Sequence, residues 1–154
     1  MDPGWPIEFL RPLLRRKGRG TLISGIGVVS DASPKQDYRV PDLTFLAAGR
    51  EALIVRDGTC KGGPDAVLAV RSPADETYEK LPFFAQLGVR EMIVIDRDTK
   101  RPEVFRLAGS QYLAVSPGLD GFVLAETLGI RFRVVDGPRL VVEDAAEPSL
   151  QMLI

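Results

Sequence analysis

Histidine is absent from this 154-residue chain, and cysteine occurs once, at Cys60. The first absence excludes Ser-His-Asp and Cys-His nucleophiles, histidine zinc sites and histidine-based nucleases. The second excludes an internal disulfide and a thiolate metal cluster and suits a reducing compartment, so the expected location is the cytoplasm; Cys60 itself reads as a loop thiol. Also missing is any run approaching the roughly 20 apolar residues that cross a bilayer. Nothing near Met1 has the positively charged start and unbroken apolar stretch of a secretory leader, so no membrane association is expected. Excess charge is lacking too: with a net charge of −1, the molecule as a whole does not attract nucleic acid, and any such binding must be local. There is no internal repeat and no low-complexity tract. What these absences leave is carboxylate and lysine chemistry.

What is present is enough apolar material for one core. At 45% hydrophobic, the chain is expected to form a single domain over residues 1–154. Ile7, Phe9, Leu10, Leu13 and Leu14 recur at helical spacing and are followed by Gly18 and Gly20, which predicts an amphipathic helix closed by glycine. Arg11, Arg15, Arg16, Lys17 and Arg19 crowd the same segment. They make it the one local candidate for phosphate contacts, the alternative being a solvated helix face.

The pattern then becomes extended. Thr21–Ser30 is rich in β-branched residues, Asp31–Asp37 is a polar turn, and Tyr38–Ala47 is a second strand. Gly25 and Gly27 do not make a dinucleotide fingerprint, because the third glycine and the following helix are missing. Gly49–Gly63 reads as a connection with a short edge strand. Asp65–Val70 is a buried strand. A helix over Pro73–Leu87 is expected next, with Ser72 as cap, Asp75 three residues on and Gly88 as the stop. Pro82 inside it predicts a kink. Arg90–Asp96 is another buried strand, and PEVFRLA, QYLAVS, GIRFRVVD and GPRLVVED are hairpin strands.

The stretch GGPDAVLAVRSPADETYEKLPFFAQLGVREMIVID, together with the earlier RVPDLTF and the later PEVFRL, resembles a known family. It is the putative restriction endonuclease family of the PD-(D/E)XK nuclease superfamily, and the likeness runs from about Arg39 to Val142. The resemblance implies an α/β fold with a restriction endonuclease-like core in the order α-β-β-β-α-β, a mixed sheet flanked by helices, and extra C-terminal hairpin strands. It implies hydrolysis of DNA phosphodiester bonds with Mg²⁺ or Mn²⁺ and DNA as partner; the sequence leaves the oligomeric state open, a homodimer being one alternative. Asp42 and Asp65 match the family's metal-binding acids, and Lys80 matches its catalytic lysine. Such chemistry needs carboxylate oxygens to hold a hard cation that activates water, and a cation to neutralise the phosphoryl oxygens.

The resemblance fails at one informative position. Ala69 stands where the family has a glutamate, and strand alternation puts Asp65, Val67 and Ala69 on one face. Phe84 replaces a tyrosine, Met92 and Ile93 replace Tyr-Trp, and Arg71 stands where an apolar residue is usual. Each candidate also has a plain structural reading. Asp42 and Asp65 follow proline at strand starts, where Asp serves turns, and Lys80 has Glu76 one helical turn earlier. Glu76 or Glu79 is a conceivable replacement acid from the helix. Two functions therefore stand side by side: a metal-dependent endonuclease, or a catalytically silent nuclease fold that acts as a protein-interaction module or binds nucleic acid, the latter through Arg11, Arg15, Arg16 and Lys17.

Overall fold

The computed structural model describes residues 4–30, 38–55 and 58–154; the expected turn Asp31–Asp37 lies outside them. The chain opens with a wide helical turn, Pro6–Leu10, that runs directly into α1, Arg11–Arg16. Leu10, Leu13 and Leu14 face the core, and Gly18 takes the left-handed conformation (φ +69°) that a helix stop requires. The strands follow as β1 (Gly20–Ser24), β2 (Val28–Val29), β3 (Tyr38–Arg39), β4 (Leu43–Ala47), β5 (Cys60–Lys61) and β6 (Ala66–Arg71). After α2 (Leu81–Gln86) come β7 (Glu91–Asp96), β8 (Pro102–Ala108) and β9 (Gln111–Ala114). The last four are β10 (Val123–Ala125), β11 (Ile130–Val135), β12 (Arg139–Asp144) and β13 (Gln151–Leu153).

Six of these strands make a mixed sheet in the order β1-β4-β6-β7-β8-β9, in which β6 and β7 are the parallel pair. A parallel pair needs a crossover, and α2 supplies it. Helix α1 and the four-stranded antiparallel sheet β10-β11-β12-β13 share one core with Leu22, Phe45, Leu68 and Ile93 on one face of the large sheet. On the other face, Val67, Met92 and Val94 pack with Phe83 and Phe84 of α2 and with the small sheet β3-β2-β5. Alternation along β6 accounts for the split: Ala66 and Leu68 go to the first core, Val67 and Ala69 to the second.

Several expectations change. The strand expected over Thr21–Ser30 breaks at Gly25 (φ +69°), and its halves join different sheets. Tyr38–Ala47 breaks likewise around Pro41, which cannot donate to a ladder. The helix expected over Pro73–Leu87 is shorter. Ala74 adopts φ +67°, Tyr78–Lys80 is a single tight turn, and α2 proper begins at Leu81. Pro82 therefore lies in the first turn, where no intrahelical donor is lost, and the expected kink does not arise. Cys60 is not a loop thiol but a fully buried residue of β5.

Two buried acids fasten the C-terminal sheet to the rest. Glu91, 1% exposed, pairs with Arg106 (3.0 Å) and accepts hydrogen bonds from the backbone N–H groups of Glu126 (2.9 Å) and Thr127 (2.6 Å). Asp144 is fully buried at the end of β12. It pairs with Arg19 and Lys17 and accepts from the Glu147 N–H at 2.9 Å. Burial alone would raise the Asp144 carboxyl, but the Arg19 guanidinium, the Glu147 N–H and the Lys17 charge outweigh it and hold the group below its ordinary 3.8. A depressed folded-state value contributes stability that is present above the unfolded value and is lost as pH falls through the folded one. Asp144→Asn should therefore be less stable at pH 7 and lose less further stability than the wild type below about pH 4, as read by urea unfolding across pH.

Candidate active site

Asp42 lies just before β4, and its position follows from the register of the sheet. Leu43 pairs with Leu68, so one further step places Asp42 opposite Ala69. Its Oδ2 accepts a hydrogen bond from the Val70 N–H at 2.7 Å. Asp42, Ala69 and Val70 line a cleft of about 250 Å³ together with Ser72, Asp75, Thr77 and Lys80, over a floor that includes Phe84 and Met92. The structure thus brings Asp42, Ala69 and Lys80 to one place. Lys80 ends the tight turn before α2. No ion pair with Glu76 is formed among the described residues, and neither Glu76 nor Glu79 lines the cleft.

Asp65 is elsewhere. It precedes β6 at the end away from Asp42, four residues before Ala69, which at a strand rise of about 3.3 Å per residue is roughly 13 Å along the sheet. There Oδ2 accepts from the Ala47 N–H (2.7 Å), and Oδ1 pairs with the Arg50 guanidinium (2.7 Å). Arg50 also reaches the Gly63 carbonyl at 3.1 Å. The carboxylate is buried and closes the turn between β4 and the approach to β6. The structure does not bring it together with Asp42.

The acid that does share the cleft is Asp75, which sequence reasoning had treated only as part of a helix cap. Its Oδ2 accepts from the Ser72 N–H (2.8 Å), while Oδ1 accepts from the Thr77 N–H (3.1 Å) and hydroxyl (2.6 Å). Burial would raise this carboxyl, but the Thr77 hydroxyl, the Ser72 and Thr77 N–H groups and the Arg71 charge more than compensate and hold it below the ordinary carboxylate value. The spacing Ser72-x-x-Asp75 was the available signal. It marks a self-contained turn here and not a helix start.

A divalent ion such as Mg²⁺ requires oxygen ligands in near-octahedral geometry, with protein carboxylates neutralising its charge. The cleft meets this poorly. Asp42 has one oxygen bonded to Val70, both oxygens of Asp75 are engaged by its own turn, and Ala69 presents only a methyl group. Among the described residues no group of three or more His, Cys, Asp or Glu is arranged to hold a metal. The donor set does not fit the ion.

The basic segment lies on the other side of the sheet, since the leucines of α1 belong to the core opposite Phe84 and Met92. Arg11 Nε donates to the Leu22 carbonyl at 2.8 Å, and Lys17 pairs with Asp144 and Glu147, each at 3.6 Å. Arg15 and Arg16 are exposed.

A helix-flanked mixed sheet with an acid-and-lysine cleft beside its parallel strands places the molecule in the α/β class. A family model described as "Putative restriction endonuclease" (Uma2) matches residues 6–135, and the chain belongs to that family. Among solved structures it is similar to a protein from Anabaena variabilis described as a putative nuclease belonging to DUF820. The TM-score is 0.60 at 12% identity, over 82% of this chain and 70% of that one. A search of curated proteins gives no match. No helix among the described residues is long and apolar enough to cross a membrane.

Proposed function

We propose that this chain is a non-hydrolysing member of the restriction endonuclease family, one that engages DNA but no longer assembles a divalent metal centre. The observation that carries this reading is the composition of the cleft. Asp42 and Lys80 stand where a nuclease would want an acid and a cation, but the residue facing Asp42 across the β4–β6 pair is Ala69, and Asp75 is held by its turn. The order helix, β1, β4, β6, helix, β7 supports a restriction endonuclease-like core beneath it. Without a bound cation nothing in the cleft lowers the pKa of water or neutralises a pentacoordinate phosphorus, and Lys80 alone supplies one positive charge.

DNA as partner rests on the family, and the surface proposed for it is the outer side of α1. Arg11 and Lys17 are tied to the fold, so phosphate contact falls to Arg15 and Arg16. Each phosphate neutralised releases counterions, which makes affinity fall as salt rises. Fluorescence anisotropy with a labelled duplex in Mg²⁺ is expected to show salt-dependent binding of intact DNA. Arg15→Ala with Arg16→Ala should flatten the salt slope by about one unit per lost contact. An unchanged slope would return α1 to a solvated face and remove DNA from the proposal.

A further inference from the structure

A second cavity opens where the parallel pair ends, and open α/β sheets take ligands outside the carboxyl ends of their parallel strands. Arg71 and Asp96 are the last register pair of β6 and β7. With Tyr78, Arg101, Glu103 and Val134 they line a space of about 490 Å³, within the range of small-molecule sites. The turn after β6 divides it from the Asp42 cleft, sending Asp75 and Thr77 into the cleft and Tyr78 into this space. Backbone strain is concentrated around it. The two non-glycine described residues with positive φ, Ala74 (+67°) and Lys100 (+64°), sit one in each of the turns that follow β6 and β7, and strain of this sort gathers at ligand clamps.

We propose that this cavity binds an unpaired guanine base. The lining is neutral overall, two arginines against two carboxylates, so it does not select a bare anion, and the uncommitted groups decide. Both oxygens of Asp96 are taken, Oδ1 by the Asp98 and Thr99 N–H groups (each 2.9 Å) and Oδ2 by Arg71 (3.3 Å). Glu103 accepts from the Tyr78 hydroxyl through Oε1, which leaves Oε2. Burial and Glu103 raise the Tyr78 pKa, so the hydroxyl stays a donor to that carboxylate. Arg101 has no carboxylate partner among the described residues. What remains is a guanidinium fork and a carboxylate oxygen on the alternate positions 101 and 103, about 6.6 Å apart along the chain. Guanine answers both: N7 and O6 accept from a fork, while N1–H and N2–H₂ donate to a carboxylate. Adenine would turn its N6–H₂ donor toward the arginine instead. The Arg71 guanidinium lies over the Tyr78 ring, 4.9 Å from its centroid, and offers the base a stacking plane. Val134, 37% exposed, adds an apolar contact. The donor edge of guanine is also its pairing edge, so the base must be unpaired. Binding here is independent of α1 and of the Asp42 cleft.

Isothermal calorimetry of the full chain with GMP, AMP, CMP and inorganic phosphate separates base from phosphate, since the three nucleotides carry the same phosphate group. GMP is expected to bind about tenfold or more tighter than AMP or CMP, the lower part of what one bidentate base contact supplies, and phosphate alone should give no measurable heat. Arg101→Ala, at an exposed side chain, and Glu103→Gln, which keeps an oxygen for the Tyr78 hydroxyl, should each remove most of that preference. A short oligothymidylate with one central guanine identifies the source: tighter binding than GMP assigns the site to a single strand, weaker binding to a free nucleotide. Equal affinity for the three nucleotides, no binding of GMP at millimolar concentration, or a guanine preference that neither variant lowers would overturn the proposal.

Discussion

Replacing Ala69 with glutamate raises the affinity of the chain for Mn²⁺ by at least about tenfold, through added ligand charge at a hard-cation site. The new carboxylate would extend from β6 into the same cleft as Asp42, which faces this position in the register of β4 and β6. Two carboxylates from neighbouring strands then converge where one stood before. The cleft, about 250 Å³ and lined by half-buried Ala69, has room for the side chain. Lys80 in the same cleft offsets part of the repulsion between the two acids. Calorimetric titration of both forms reads the effect directly. Equal affinity in the two would mean that position 69 does not address the site of Asp42.

The second large effect is on stability. Glu91→Ala is expected to cost about 2–3 kcal/mol, because it removes a buried carboxylate that satisfies several donors at once. Its carboxylate is the common acceptor for Arg106 from β8 and for the N–H groups of Glu126 and Thr127, just after β10. Truncation takes the acceptor from the Glu126 and Thr127 N–H groups and leaves half-exposed Arg106 only Glu126 and the Leu124 carbonyl, at the seam between the large sheet and the C-terminal one. Urea unfolding measures the loss, and a change below about 1 kcal/mol, the scale of a surface pair, would assign the seam to apolar packing instead.

Apolar runs made the central strands legible: β4, β6 and β7 were marked by LTFL, AVLAV and MIVI, which are buried on both faces as such runs imply except at half-buried Ala69 and Val70. Alternation also predicted that Val67 and Ala69 share a face, and they do. What alternation cannot supply is the register between strands. Asp65 was grouped with Asp42 because both match acids of the resembled family, but antiparallel pairing sends the starts of β4 and β6 to opposite ends. The Arg50 that occupies Asp65 is 15 residues away and announces itself by no local pattern. The Ser72-Pro73 signal misled for a related reason. A cap residue, a proline and an acid three positions on serve a helix start and a closed turn equally well, and the left-handed Ala74 decided for the turn. In the C-terminal sheet, β10 and β13 are three residues each, too short for any periodicity to register. The basic segment was visible as charge, but its counterparts Asp144 and Glu147 lie more than a hundred residues downstream.

Nicking of supercoiled plasmid by the purified wild-type chain in Mg²⁺ and in Mn²⁺ decides whether the Asp42–Lys80 cleft sustains hydrolysis. With Asp42→Ala prepared in parallel as a control for contaminating nuclease, the plasmid is expected to stay intact with no difference between the two proteins. Metal-dependent nicking by the wild type that Asp42→Ala abolishes would contradict the non-hydrolysing assignment.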